Sequence, residues 1–270
     1  MGQAVKLQHF TVALAQRNAV LVTVDAVEGS GPREPGAWMA VFEREVVGTI
    51  GGGQLEFDAT AQARDMLRAG APAGAQRYAL GPSLGQCCGG VVHLRFEPAG
   101  AADLPGLRQR LAPRLRPLAL FGGGHVGRAI VRLLQELPYS VTWIDSRDEI
   151  FPAGVGPQVA CEHSDPVHGA VPLLAAGSHV LVMSFSHAED LDVVAACLQR
   201  RRLQADLPFI GLIGSKTKWA TFRHRLEQRG FTPAELGGVH CPIGLPGIAG
   251  KQPEVIAVSA VAQLLQHCDN

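Results

Sequence analysis

The groups of this chain best placed for chemistry sit in glycine-dense turns. Leu118-Ala119-Leu120-Phe121 runs into Gly122-Gly123-Gly124-His125-Val126-Gly127, then an amphipathic stretch, then Val141-Thr142-Trp143-Ile144-Asp145. Strand, G-x-G-x-x-G turn, helix and a second strand ending in an acid about 20 residues on make a dinucleotide-binding pattern. Gly122 permits the tight turn, Gly124 lets backbone approach a phosphate, and Gly127 lets the helix pack on its strand. Free N–H groups at the helix start then face the anion. Asp145 is placed either to hold a ribose diol or to close its strand and cap the turn that follows.

Three more groups carry chemical potential. Glu28-Gly29-Ser30-Gly31-Pro32-Arg33-Glu34-Pro35-Gly36 offers a hydroxyl at Ser30, a guanidinium at Arg33 and backbone donors to a phosphate or oxyanion. Gly48-Thr49-Ile50-Gly51-Gly52-Gly53-Gln54-Leu55-Glu56 passes from strand to helix through Gly51, Gly52 and Gly53, a second place where amides converge on an anion. Gln54 and Glu56 read more simply as first-turn helix residues. Gln86-Cys87-Cys88-Gly89-Gly90 places vicinal thiols in a polar turn, where an exposed, low-pKa thiolate is feasible; buried, inert thiols are the alternative. Finally, His187, Lys216 and Cys241 follow three successive apolar runs and could converge on one ligand. Against that, Ser186 with Glu189 makes a capping box, Ser215 caps the next helix, and Cys241 suits packing against a sheet.

Bulk properties limit the function classes. The 270 residues carry 24 basic and 24 acidic side chains, so no broad field points to nucleic acid or an anionic membrane. The start lacks a signal-peptide pattern and no apolar run is long enough to cross a bilayer, so a cytoplasmic protein is expected. The six cysteines are scattered without zinc-site spacing and are expected to be reduced.

Elements able to position these groups follow from periodicity. Short strands at 20–24, 38–42 and 91–96 around a helix at 55–68 give a small α/β or α+β domain over residues 1–100. Residues 101–116, with one short basic helix candidate at 104–111, read as a linker. From 117 to 270, strands at 118–121, 140–144, 179–184 and 209–213 alternate with helices at 125–136, 167–176, 187–202 and 216–228, and a last helix spans 253–267. The expected fold is therefore α/β, a Rossmann-like doubly wound parallel sheet preceded by a smaller domain, with ligands at the sheet's carboxyl edge.

Taken in order, these motifs resemble the XdhC/CoxI family, accessory proteins of molybdenum hydroxylases such as xanthine dehydrogenase. The resemblance is carried by Gly29–Arg33 with Gly36, Gly48–Gly53 with Leu55-Glu56, Gln86–Gly90, Gly122–Gly127, Ile213–Lys216, and Cys241–Leu245 followed by Pro253-Glu254 and Ile256-Ala257. It departs at Gly31, where alanine is common. It implies a protein that binds molybdenum cofactor, supports installation of its terminal sulfur and delivers it to an apo-hydroxylase. It implies contacts with the xanthine dehydrogenase cofactor-binding subunit, a cysteine desulfurase and a molybdenum cofactor nucleotidyltransferase, and self-association is compatible with it. Such a cargo is a pterin dithiolene ending in a phosphate, so Ser30, Arg33, Gly51–Gly53, Gln86, Gly122, Gly124, Gly127, Asp145, His187, Lys216 and Cys241 are candidate contacts. Cys87 or Cys88 is a candidate soft ligand to the cargo's molybdenum.

Two other functions fit parts of the chain. One is an NAD(P)-dependent oxidoreductase using His187, Lys216 or Cys241 as acid or base, although no convincing catalytic pair stands out. The other is a nucleotide-sensing regulator built on the Rossmann-like domain.

Overall fold

The computed structural model describes residues 2–81 and 89–267, which form two compact units that divide between Ala112 and Pro113. In the first unit, α1 (Gln3–Leu14) precedes β1 (Ala19–Glu28), β2 (Trp38–Val41), β3 (Val46–Gly48), α2 (Gly53–Ala69), β4 (Gly74–Ala79), β5 (Val91–Ala99) and α3 (Leu104–Leu111). All its strand pairs are antiparallel, in the order β3-β2-β1-β5-β4.

Strand β1 lies at the centre because it is apolar on both faces. Val20, Val22 and Val24 pack against Leu55, Ala59 and Ala63 of α2, while Ala19 and Leu21 pack with Phe10, Ala13 and Leu14 of α1 and Leu107 of α3. The 104–111 segment, expected within a linker, thus folds as a helix on this unit's second core. Between Val24 and Ala26 the β1–β5 register shifts, and the bulged strand carries the chain into the 28–36 loop.

The second unit contains β6 (Arg116–Phe121), α4 (His125–Leu134), β7 (Tyr139–Asp145), β8 (Val159–His163), a 3₁₀ segment (Val167–Leu173), β9 (His179–Val182), α5 (His187–Gln204), β10 (Phe209–Leu212), α6 (Lys216–Gln228), α7 (Pro233–Gly237), β11 (Val239–His240) and α8 (Pro253–Gln266). Every described strand pair here is parallel, in the order β8-β7-β6-β9-β10-β11. This is the expected doubly wound sheet. Its order reverses between β6 and β9, the switch point at whose carboxyl ends sheets of this kind receive ligands. One core fills the face under α5 and α6, and another fills the face under α4 and α8. The helix expected at 167–176 is instead a short 3₁₀ segment, because Pro172 lacks the N–H an α-helix would need there. Among the described residues no helix is long and apolar enough to cross a membrane.

Candidate functional site

In the first unit, the loop motifs meet at one end of the sheet. Gly51 has φ +127°, and a Cβ there would stand 2.5 Å from Cβ of Pro32 and 3.3 Å from Cγ of Arg33, so the 49–53 and 28–36 loops are in direct contact. A Cβ on Gly90 would stand 2.2 Å from the Ser30 carbonyl oxygen and 2.7 Å from that of Glu28. The Leu80 N–H donates to the Gly90 carbonyl at 2.8 Å, which closes the base of the β4–β5 connection beside the same loop. Ser30, Arg33 and Gly51–Gly53 are thereby gathered. Gln86, Cys87 and Cys88 lie outside the described residues. Arg33 is exposed and forms no ion pair with a described residue.

The amides of the 49–53 loop are not waiting for an external anion. Oε2 of Glu56 accepts the Thr49 hydroxyl at 2.5 Å, the Ile50 N–H at 3.0 Å and the Gly52 N–H at 3.1 Å. The Gly51 N–H donates to Thr49 Oγ1 at 3.1 Å. A carboxylate of the chain itself therefore occupies this nest, four residues after the N-cap of α2.

The glycine turn of the second unit is built as its spacing predicts. Gly122, at φ +123°, packs where a Cβ would stand 2.0 Å from the Met183 carbonyl oxygen, and a Cβ on Gly127 would stand 2.0 Å from that of Gly122. The indole N–H of buried Trp143 donates to the Gly122 carbonyl at 2.9 Å. Asp145, 1% exposed, sends its carboxylate back to the turn: Oδ2 accepts the Gly123 N–H at 2.6 Å. Arg147 supplies three further donors, its N–H and Nε to Oδ1 at 2.9 and 2.8 Å and Nη2 to Oδ2 at 2.9 Å. Burial pushes the carboxyl upward, but the bonds from Arg147 and Gly123 outweigh it and hold Asp145 below its ordinary range.

Across the switch point, Asp190 and Lys218 form a buried pair, Nζ to Oδ2 at 2.6 Å, with side chains 3% and 10% exposed. Asp190 Oδ1 also accepts the Ser184 N–H at 2.7 Å, and Lys218 Nζ donates to the Ile213 carbonyl at 2.9 Å. The pair thus ties the ends of β9 and β10 together. Glu189 accepts the Phe185 N–H at 3.0 Å and the Ser146 hydroxyl at 2.6 Å. Ser184 Oγ is buried without a hydrogen-bond partner among the described residues. Cys241 is half-buried, and burial pushes its thiol up to about 11, Lys218 opposing and Asp190 reinforcing. It is a neutral thiol near pH 7.

Of the three residues expected to converge here, His187 is exposed with its ring edge-on to Phe222 at 6.3 Å, and Cys241 packs against the core. Lys216 is exposed; the inward lysine is Lys218. Helical spacing carried that signal, since Lys218 shares a stripe with Phe222 and Leu226, both buried. Asp190 likewise lies four residues before buried Val194 on α5. Among the described residues no cluster of His, Cys, Asp and Glu could hold a metal ion.

The fold and its loops define a glycine-loop antiparallel unit followed by a Rossmann-type unit with an internally occupied turn. A family model described as the XdhC Rossmann domain matches residues 118–264, and one described as the XdhC and CoxI family matches residues 13–79. The chain belongs to the XdhC/CoxI family. It is 24% identical over 263 residues to YqeB of Escherichia coli K12, a protein described as uncharacterised. That match covers 95% of this chain but 45% of YqeB, so the chain spans under half of that relative. A crystal structure described as a xanthine dehydrogenase from Bacillus halodurans superposes with a TM-score of 0.81 at 22% identity, covering 99% of this chain and 96% of that one. At that identity the likeness is one of fold.

Proposed function

We propose that this protein is a maturation factor that binds molybdenum cofactor as cargo, supports its sulfuration and hands it to the cofactor-binding subunit of a xanthine dehydrogenase or related molybdenum hydroxylase. Its family supports a role of this kind. The carrying observation is the gathering of Ser30, Arg33 and Gly51 at the base of the connection that contains Cys87-Cys88. A phosphate-ended pterin needs a cation for the phosphate, and the exposed Arg33 guanidinium provides one. A cysteine desulfurase and a cofactor nucleotidyltransferase are the further partners this role requires. In the second unit, Lys218 and Asp190 neutralise one another and Cys241 is a thiol, which favours handover over NAD(P)-dependent acid–base catalysis.

The test is reconstitution. Chain loaded with molybdenum cofactor is mixed with apo-xanthine dehydrogenase, and substrate oxidation is followed over time. Loaded wild-type chain should restore activity faster than free cofactor, with Arg33→Ala retaining less cofactor. Equal activation with and without the chain would overturn the proposal.

A further inference from the structure

The second unit carries a dinucleotide-type turn, yet the position where such turns receive a nucleoside ribose is already filled. Three observations coincide there. The Asp145 carboxylate, the group a ribose diol would need, accepts four donors from Gly123 and Arg147. The segment after β7 then folds back over the turn, so that a Cβ on Gly123 would stand 2.7 and 2.9 Å from Cγ1 and Cγ2 of Ile150. Arg128 fastens that segment by donating Nη2 to the Ile150 carbonyl at 2.7 Å and Nε to the Gly123 carbonyl at 3.2 Å. Phe151 completes the cover, its ring edge-on to Trp143 at 5.2 Å.

We infer that Arg147 is a specificity residue that closes this Rossmann-type unit to nucleosides: its guanidinium and the Ile150 side chain occupy the ribose subsite. A diol approaching Asp145 must displace a two-pronged guanidinium bond and compete with two backbone N–H bonds, and its hydroxyls bond the carboxylate without the ionic attraction that the guanidinium supplies. Arg147 is also held from its other face, with its guanidinium carbon 4.5 Å from the Phe185 ring centroid. An arginine near such an acid can instead receive a ribose 2′-phosphate. Here Nε and Nη2 both point to Asp145, so NADPH should gain no more than NADH.

This inference goes beyond the handover role, and its test uses no molybdenum cofactor, so the two can fail separately. The full chain is titrated with NADH and with NADPH, following energy transfer from tryptophan to the nicotinamide. Wild type should show no saturable binding with either. Arg147→Ala removes the guanidinium from both Asp145 oxygens, which keep only the backbone N–H bonds of Gly123 and residue 147, and should bind NADH at least about tenfold more tightly than wild type. Ile150→Ala, which leaves the ion pair intact, opens the same subsite and should move in the same direction, so it serves where Arg147→Ala fails to fold. Saturable binding by wild type, NADPH binding that disappears in Arg147→Ala, or no gain in either variant would overturn the inference.

Discussion

Glu56 should hold the first unit's glycine loop in shape, and its removal gives a worked prediction. Three donors meet one carboxylate oxygen, and one of them belongs to Ile50, which is fully buried. In Glu56→Ala the Ile50 N–H loses its acceptor where water cannot replace it, a cost of about 1–3 kcal/mol. Thr49 and Gly52 are only half-buried, so water recovers much of their loss, and the sum is about 2–4 kcal/mol. Glu56→Gln keeps an acceptor oxygen at the same reach but loses the charge, which costs about 1 kcal/mol. Hydrogen exchange read by mass spectrometry on a peptide covering residues 42–57 reports the local opening. With about 1.4 kcal/mol per decade, exchange at 50–52 should accelerate roughly 30- to 1,000-fold in Glu56→Ala and about fivefold in Glu56→Gln. Unchanged protection in Glu56→Ala would refute the reasoning, as would equal effects in the two variants.

Three other outcomes follow from the second unit. Lys218→Met leaves Asp190 charged and buried and should cost about 3–5 kcal/mol in urea denaturation, whereas the Asp190→Leu/Lys218→Met double variant should recover part of that loss, the Ser184 N–H being left without its acceptor. His179 and His240 flank Phe209; burial, then Arg116 and His267 for the first and His267 and Arg201 for the second, hold their pKa values below the ordinary histidine value. The unfolded chain therefore takes up protons first, so stability is full above about pH 6.5 and falls as pH drops below it. Urea midpoints at pH 7.5 and 5.5 measure this, and a rise on acidification would contradict it. Cys241, at about 11, is about one part in a thousand thiolate at pH 8, so peptide mapping should find it alkylated more slowly than exposed Cys161, whose thiol burial also raises but to a smaller degree.

Much of the fold was legible because its central elements alternate strongly. The turn at 122–127, the strand ending at Asp145 and helix α6 all stand where apolar spacing puts them. The pieces that escaped are those whose sequence carries little period. Strand β4 reads Gly-Ala-Gln-Arg-Tyr-Ala and β8 reads Val-Ala-Cys-Glu-His; both are sheet edges with few buried side chains. Helix α1 also escaped. The gathering of the 28–36 and 49–53 loops was not legible, since it depends on how β1 and α2 meet across the sheet. Nor was the fate of the anion nests. Sequence shows that Gly51–Gly53 and Gly122–Gly124 free backbone donors, but that Glu56 and Asp145 turn back to fill them is a matter of tertiary geometry.

The most direct test of the handover role is an equilibrium titration of the purified full chain with molybdenum cofactor, counting bound pterin per chain by fluorescence after oxidation. About one equivalent should be retained by wild type, with weaker retention in Arg33→Ala and in the Cys87→Ala/Cys88→Ala variant. No retention by wild type, or equal retention in all three proteins, would contradict the assignment of the cargo to the first unit's loops.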